Sequence, residues 1–352
     1  MTQAALPAAK RLGFFTRLLD DVGPAERYRM AAEQILRAER VGFDSAWIAQ
    51  HHFDADEGGL PSPLVFLAGI AALTSRIRLG TGVVTLGLES PLRVAEDTAV
   101  LDLIAGRRLE IGLGSGGSAA AYAAFGLESE ARGAIFAEKM ALLLRAWCGE
   151  ALPGGARLYP TAPSLPERLW QATFSVAGGT RAGKAGDGLM LSRTQPRPAE
   201  APDMPLWDMQ NPIIDAYLRE LPSGAAPRIL GSRSLFVADD RREALRLAEI
   251  GLRRAARRAE GAGLPFPRGT LAEVIKACDL HVGTPEDVIE TLSADTALAR
   301  STDLVFQVHS ADPPHAFILR SIELVAEKVA PALGWAGAPA SPAQRETALA
   351  AG

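Results

Sequence analysis

Short apolar runs alternate with amphipathic segments along most of the chain, and this alternation restricts the folds open to it. Eight such runs are present, from RLGFF (11–15) to TDLVFQVHS (302–310). Each is apolar on both faces, as a buried parallel strand requires, and each precedes helical sequence. Eight such units favour an α/β fold, a (β/α)8 TIM barrel, over an open doubly wound sheet. We expect one barrel domain over 1–335 and a flexible tail over 336–352.

Two stretches rich in proline and glycine interrupt this alternation. They span 149–168 and 195–210. Barrels of this kind carry their chemistry at the C-terminal ends of the strands. We interpret both stretches as loop insertions over that mouth rather than as linkers between domains.

Charge and cysteine content exclude several classes of function. The chain has 37 Lys and Arg against 41 Asp and Glu, a net charge of −4. Its arginine-rich stretch, 251–263, is typical of the solvated face of an amphipathic helix, so we expect no nucleic-acid binding. The sequence has no run of 18 apolar residues, so we expect no membrane span. Cys148 and Cys278 form no CxxC pair and the N-terminus lacks a signal-peptide pattern, which indicates a cytoplasmic protein.

Two adjacent histidines follow the second apolar run, in AQHHF (49–53). Successive strand residues point to opposite faces, so His51 and His52 cannot easily chelate one metal ion. The first strand also lacks the His-x-His of metal-dependent barrel hydrolases, and we predict no metal site. We interpret His51 as functional and His52 as a residue that holds the barrel top by hydrogen bonds. His309, after the last strand, is a second candidate acid or base.

Two glycine motifs follow predicted strands. GLGSGG (112–117) matches G-x-G-x-x-G, but three strand–helix units precede it and no helix begins inside it. We therefore interpret it as a cavity wall and not as a dinucleotide site. TGVV (81–84) leaves room for a flat ligand against the backbone, although a packing glycine explains it equally well.

A third glycine motif is SVAGGTRAGKAGDG (175–188). Its pattern predicts a strand that ends in Gly178 and Gly179, followed by a short helix over 180–186. Backbone amides at the helix start, with Arg181 beside them, would form a phosphate site. An ordinary Gly-Gly turn is the alternative, and the residues alone leave both open.

Taken in order, these segments resemble the bacterial luciferase-like flavin-dependent monooxygenase family. The resemblance runs over about residues 11–333, and its pieces are GFDSAWIAQHHF, LGTGVVTL, GLGSG, AGDGLMLS and VGTPEDVIETL. Single motifs are weak, but their ordered combination is specific. The resemblance implies a barrel that binds FMN at its C-terminal mouth and forms a homodimer.

The resemblance also implies roles for single residues. His51 matches the family's histidine beside the flavin ring, and Gly82-Val83 matches a cis peptide that supports this ring. The other cofactor-binding residues implied are Gln50, Ser115, Gly116, Ala177, Gly178, Gly179, Thr180, Ser192 and Arg193.

The sequence departs from the luciferases themselves at three positions. Luciferases carry Glu where this chain has Gln50, and a cysteine and an arginine near the flavin where it has Gly114 and Ser115. These differences argue against light emission. They also require another group to neutralise the flavin phosphate, for which Arg181 and Arg193 are candidates.

The sequence thus predicts a monooxygenase that uses reduced FMN and oxygen to oxygenate a small organic substrate. We expect His51 to do acid–base work, because imidazole titrates near neutral pH. A separate NAD(P)H-dependent flavin reductase would deliver the reduced FMN. Two alternatives stay open: a deazaflavin-dependent, hydride-transferring oxidoreductase on the same barrel, and a flavin-binding protein without turnover.

Overall fold

A closed barrel of parallel strands forms the centre of the protein in a computed structural model, which describes residues 10–261, 263, 265–308 and 313–335. Eight strands follow one another around it in the order β1-β2-β3-β5-β6-β7-β8-β10, and β10 pairs back onto β1. The predicted (β/α)8 barrel is confirmed. His309 and the predicted tail, 336–352, lie outside the described residues.

The structure contains ten strands in its described part. They are β1 (Arg11–Thr16), β2 (Ser45–Ile48), β3 (Arg78–Thr81), β4 (Val84–Thr85), β5 (Leu109–Gly114), β6 (Leu169–Thr173), β7 (Gly188–Leu191), β8 (Ile229–Val237), β9 (Leu280–Gly283) and β10 (Asp303–Gln307). The two outside the ring are β4, which pairs with β5, and β9, which pairs with the C-terminal half of β8.

Helices connect the strands on the outside of the barrel. They are α1 (Pro24–Val41), α2 (Pro63–Leu73), α3 (Pro91–Ile104), α4 (Ala119–Ala124), α5 (Arg132–Trp147), α6 (Val176–Ala185), α7 (Leu206–Glu220), α8 (Arg241–Gly261), α9 (Leu271–Ala277), α10 (Pro285–Ser293), α11 (Thr296–Arg300), α12 (His315–Leu324) and α13 (Ala330–Ala332). Proline at the first position fits α1, α2 and α3, where the missing amide has no partner to lose. Within the described residues, no helix is long and apolar enough to cross a bilayer.

Two tryptophans fill the barrel beneath its C-terminal mouth. Trp47 and Trp170 pack edge to face with their ring centroids 5.7 Å apart. Each lies against a strand glycine: a Cβ on Gly80 would be 2.2 Å from the Trp47 ring, and one on Gly188 would be 2.3 Å from the Trp170 ring. The strand glycines therefore make room for the large rings that close the floor of the mouth.

Helix α6 begins earlier than the sequence suggests. The predicted strand over 169–178 ends at Thr173, and the helix starts at Val176 rather than at Thr180. The reason is local, because the Ser175 side chain accepts a hydrogen bond from a first-turn amide and caps the helix.

One of the two predicted mouth loops lies at the other end of the barrel. The stretch 149–168 connects α5 to the start of β6, and Arg168 donates to the Leu109 carbonyl at the start of β5. A helix-to-strand connection in such a barrel lies at the N-terminal face. The second loop follows β7 and does lie at the mouth, but it is shorter than predicted because α7 starts at Leu206.

Candidate active site

A cavity of about 760 Å³ opens at the C-terminal ends of the barrel strands. Its walls include residues that follow β1, β2, β5, β6 and β7, as expected for the functional face of such a barrel. Its volume falls in the range of small-molecule and cofactor sites. We call it the main cavity.

The structure brings seven of the twelve predicted site residues together around the main cavity. It is lined by His51, Gly82, Val83, Ser115, Gly116, Ser192 and Arg193. It is not lined by Gln50, Ala177, Gly178, Gly179 or Thr180. Contact between the lining residues and a cofactor stays a prediction.

One wall of the main cavity is apolar and partly built from glycine. Phe15 and Met190 line it beside the peptide bond between Gly82 and Val83, which is cis. A Cβ on Gly82 would lie 3.0 Å from the Phe15 ring, and one on Gly114 would lie 2.9 Å from Val83 Cγ2. These glycines bring the backbone close to neighbouring side chains, which keeps the space in front of the wall open.

His51 lines the main cavity just beyond the end of β2. Its backbone amide donates to the Leu60 carbonyl at 3.0 Å, and a Cβ on Gly58 would lie 2.6 Å from its ring. Burial, and then the charges of Arg17 and Arg193, lower the pKa of His51 to about 4. This pKa makes the imidazole neutral at neutral pH and opposes the expectation that it titrates there, and the catalytic role of His51 stays a prediction.

His52 lies in an aromatic cluster outside the main cavity. Its ring packs against Phe125 with centroids 5.1 Å apart and against Phe53 at 5.8 Å. Its Nε2 is buried and has no hydrogen-bond partner among the described residues. The two histidines are separated as predicted, but aromatic packing rather than hydrogen bonding holds His52.

Gln50 is a buried residue whose amide is bonded within the protein. Its Oε1 accepts from the Thr85 amide at 2.7 Å. Its Nε2 donates to the Pro61 carbonyl at 3.1 Å and to Glu89 Oε1 at 2.6 Å. This placement contradicts a direct cofactor contact for Gln50, which instead ties the loop after β2 to β4.

The start of α6 lies at one end of the main cavity. Ser175, which caps the helix, lines the cavity together with Thr173, Arg132 and Arg181. The first amides of a helix have no carbonyl partner within it, and the helix dipole favours an anion there. We call Ser175, Arg132 and Arg181 the anion end.

Neutral groups hold the Arg181 side chain at the anion end. Its Nε donates to Gln171 Oε1 at 2.7 Å, and its guanidinium lies 5.6 Å from the centroid of the Phe136 ring. Gln171 Nε2 donates in turn to Asp187 Oδ2 at 2.6 Å. Burial raises the pKa of Asp187 to about 6, although Gln171 and nearby arginines oppose the shift. These contacts orient the Arg181 guanidinium, and none of them pairs it directly with a carboxylate.

Gly178 and Gly179 lie inside α6 and do not form a turn before it. A Cβ on Gly178 would lie 1.9 Å from Thr173 Oγ1, and one on Gly179 would lie 2.5 Å from the Ile213 carbonyl oxygen of α7. Both glycines therefore serve close packing. The helix start predicted at these glycines lies instead at Ser175 and Val176, and a phosphate contact by Gly178 and Gly179 stays a prediction.

A second pair of arginines, Arg17 and Arg193, also lines the main cavity. Arg17 follows β1 and pairs with Glu57 Oε2 at 2.7 Å. Arg193 follows β7 and donates to Gln307 Oε1 of β10 at 2.7 Å. The Arg193 side chain bonds to Gln307 of β10 and Ser234 of β8, whereas the Arg181 side chain bonds to Gln171 of β6. Of these two candidates, only Arg181 lies beside the α6 start.

Three residues of this cavity were missed by sequence reasoning. Arg17 directly follows the first strand, where barrel function resides, and could have been found on that ground. Ser175 precedes the first turn of α6 and is a preferred capping residue. Arg132 reaches the cavity from the start of α5, and no local signal marks it.

Comparisons with known proteins agree with this fold. The family model described as luciferase-like monooxygenase matches residues 12–300. Protein y4vJ of Sinorhizobium fredii is 28% identical over 327 residues, covering 87% of this chain and 91% of that protein. The F420-dependent glucose-6-phosphate dehydrogenase of Beutenbergia cavernae is 32% identical over 187 residues, which span 47% of this chain and 55% of that enzyme. The solved structure of monooxygenase RslO1 from Streptomyces bottropensis matches with a TM-score of 0.73 and 26% identity, covering 92% of this chain and 99% of that chain.

Proposed function

This chain belongs to the luciferase-like monooxygenase family, which includes flavin monooxygenases and F420-dependent oxidoreductases, and we propose that it is an FMN-dependent monooxygenase. It would use reduced FMN and molecular oxygen to oxygenate a small organic substrate. The observation that carries the proposal is one continuous cavity that joins an apolar, glycine-lined wall to an anion end. FMN has the two matching parts, a flat ring system and a single phosphate.

The residues of the main cavity fit FMN by shape and by charge. The backbone at Gly82 and Gly114 packs closely against Phe15 and Val83, which line the apolar wall. At the anion end, Arg132 and Arg181 supply positive charge, and the first amides of α6 supply hydrogen-bond donors. An aromatic ring against the wall and a phosphate at α6 would both find complementary groups.

Bound reduced FMN would supply the electrons that activate oxygen, while the protein supplies position and electrostatics. Phe15 and Val83 would orient the ring and keep water from its face. His51 would offer one ring N–H and one lone pair, because the charges of Arg17 and Arg193 favour its neutral form. In this role His51 orients by hydrogen bonding and does not store a proton at neutral pH.

Two partners complete the proposal. A separate NAD(P)H-dependent reductase would supply reduced FMN. The placement of GLGSGG agrees with this, because 114–117 line the main cavity and α4 starts only at Ala119, so the motif does not open a helix as a dinucleotide site would. The chain would also form a homodimer, as the family resemblance implies. NADH alone would then support no turnover.

A deazaflavin-dependent oxidoreductase is the second candidate. The Beutenbergia relative, which is F420-dependent by name, favours it. Such an enzyme transfers hydride and does not consume oxygen, so oxygen uptake separates the two proposals.

The test compares reduced FMN and reduced F420 on the full chain without oxygen, and then mixes each complex with oxygenated buffer. We expect reduced FMN to bind and its reoxidation rate to differ from that of free reduced FMN. Arg181→Met should weaken FMN binding about tenfold or more, because it removes a charge-assisted contact to phosphate. The matched control is Arg157→Met, an exposed arginine in the loop at the opposite face of the barrel.

Two results would contradict the proposal. One is tight binding of F420 with none of FMN. The other is reoxidation of bound FMN at the rate of free flavin, whichever substrate is added.

A further inference from the structure

A smaller chamber adjoins the main cavity. It has a volume of about 260 Å³ and shares Arg17, Arg193 and Thr194 with the main cavity. Helix α8 and the segment around β9 close its far side, where Leu252 and Phe266 give it an apolar lining. We call it the side chamber.

The side chamber is strongly cationic. Four arginines line it against a single carboxylate, that of Asp279. Arg197 holds both Asp279 oxygens, at 2.7 and 2.8 Å, and so neutralises this carboxylate. Arg258 donates to the Asp56 carbonyl. Three positive charges therefore lack a carboxylate within the chamber itself, and two of them, Arg17 and Arg193, stand where it meets the main cavity.

Arg193 has only neutral hydrogen-bond partners in the part of the chain that the structure describes, although the charge of Glu57 acts on it from further away. Its Nε donates to Gln307 Oε1 at 2.7 Å, and its Nη1 donates to Ser234 Oγ at 3.3 Å. Burial and the charge of Arg17 lower the pKa of Arg193 to about 9, so it stays protonated at neutral pH. A buried cation without an anion is costly, and a bound anion would remove that cost.

Arg17 is also incompletely satisfied. Its Nη2 pairs with Glu57 Oε2, whose side chain is 59% exposed, while its Nε is buried without a partner among the described residues. Unpaired buried donors are rare in proteins and call for an explanation. An oxoanion bound between Arg17 and Arg193 would accept hydrogen bonds from these arginines and so explain the unpaired donor, because guanidinium groups match oxoanions in geometry and charge.

We propose that Arg17 and Arg193 form an anion subsite for the substrate, which would be an organic oxoanion with an apolar body. The inference rests on the proposed function, since it places the substrate beside His51 and at other arginines than those proposed for the FMN phosphate. The oxoanion binds at the junction of the two cavities. Apolar substituents occupy the side chamber against Leu252 and Phe266, and the rest of the molecule faces the apolar wall.

Small aromatic probes test the subsite. Calorimetry on the full chain, with and without FMN, would compare benzoate, benzenesulfonate and phenyl phosphate with neutral benzamide. We expect at least one anion to bind tenfold more tightly than benzamide, and the order among the three anions identifies the oxoanion class. Arg193→Met should weaken that anion at least tenfold and leave benzamide unchanged. Arg193→Lys, which keeps the charge but loses the fork, should fall between the two.

The control pairs this variant with Arg181→Met at the anion end. Arg181→Met should weaken FMN and not the anion that binds most tightly, whereas Arg193→Met should weaken that anion and not FMN. Because the probes are titrated without FMN as well, a failure of FMN binding leaves this result readable. The subsite is overturned if benzamide binds as well as every anion, or if Arg193→Met and Arg193→Lys weaken FMN while leaving the anions unchanged. Thermal unfolding of each variant checks that it is folded.

Discussion

At the scale of single residues, environment decides what two identical neighbours do. His51 faces a cavity that carries Arg17 and Arg193, and His52 packs among phenylalanines. The separation itself follows from the alternation of side chains along an extended segment. The lowered pKa of His51 does not follow from local sequence, because it depends first on burial in the folded barrel and then on Arg17 and Arg193, which follow β1 and β7.

We predict that the His51 imidazole titrates near pH 4 in the folded protein. Because its folded pKa lies below the ordinary value of 6.5, its contribution to stability is present above pH 6.5 and is lost as the pH falls towards 4. Histidine ring resonances followed by NMR against pH give the midpoint. A midpoint near 6.5 would contradict this account of the site.

Activity should show the same contrast between the two histidines. We expect His51→Ala to lower turnover while His52→Ala, outside the main cavity, changes it much less. We expect no ionisation of His51 near pH 6.5 in the pH dependence of kcat/KM. The profiles of the wild type and of His51→Ala should therefore have the same shape around that pH. A step near pH 6.5 that disappears in His51→Ala would assign His51 the proton-transfer role that its surroundings oppose.

At the scale of elements, α6 shows that two closely packed helices can require glycine at their contact. Gly179 lies against the backbone of α7, where a Cβ would be 2.5 Å from the Ile213 carbonyl oxygen. Backbone cannot rotate out of the way as a side chain can. The approach of α6 to α7 therefore depends on glycine at this position.

We predict that Gly179→Ala lowers the free energy of unfolding by about 1–3 kcal/mol, the usual effect of an overpacked site. The matched control is Gly133→Ala in α5, since a Cβ there meets nothing within 4 Å. Alanine is the better helix former, so the control should be neutral or more stable by up to about 1 kcal/mol. Chemical denaturation measures both, and equal values for the two variants would remove the packing explanation.

The strands, helices and loops also show which features of the fold can be predicted from the sequence. Buried parallel strands leave a local pattern, and the predicted strands from 11–15 to 302–310 correspond to the ring. The sequence predicts the start of α6 too late and places its glycines before the helix. The reason is that a glycine which packs against another helix cannot be told from a turn glycine in the sequence. The loop over 149–168 was assigned to the wrong face, although its position before β6 fixes it. The partners of Arg193 lie 41 and 114 residues further along the chain, a separation that no local pattern reports.

At the scale of the whole molecule, ring closure is what creates the site. The anion end belongs to the loops and helices after β5 and β6, and the arginine pair to those after β1 and β7. The pairing of β10 with β1 closes the ring, so that these groups line one mouth. The two anions proposed above, a phosphate and a substrate oxoanion, would then bind at different arginines of the same cavity.

The outer surface bears on the proposed homodimer. Helices α2 and α3 lie next to each other and expose large apolar side chains, those of Val65, Leu73, Val100, Leu103 and Ile104. A stable interface buries about 800 Å² on each partner, with an apolar centre. This face offers such a centre, and a second copy of the chain would cover it with the same residues through a twofold axis.

We predict a dimer in solution that Leu103→Glu dissociates, because a charge in the apolar centre of an interface is desolvated without a partner. Leu103 is 48% exposed, and Ile250 on α8 is 43% exposed, so Ile250→Glu is a control of matched exposure on another face. Light scattering with size-exclusion chromatography measures the mass of each variant. A monomeric wild type, or equal dissociation by both substitutions, would rule out this face as the interface. Since the main cavity of one chain is complete without α2 or α3, the Leu103→Glu monomer should keep its affinity for FMN.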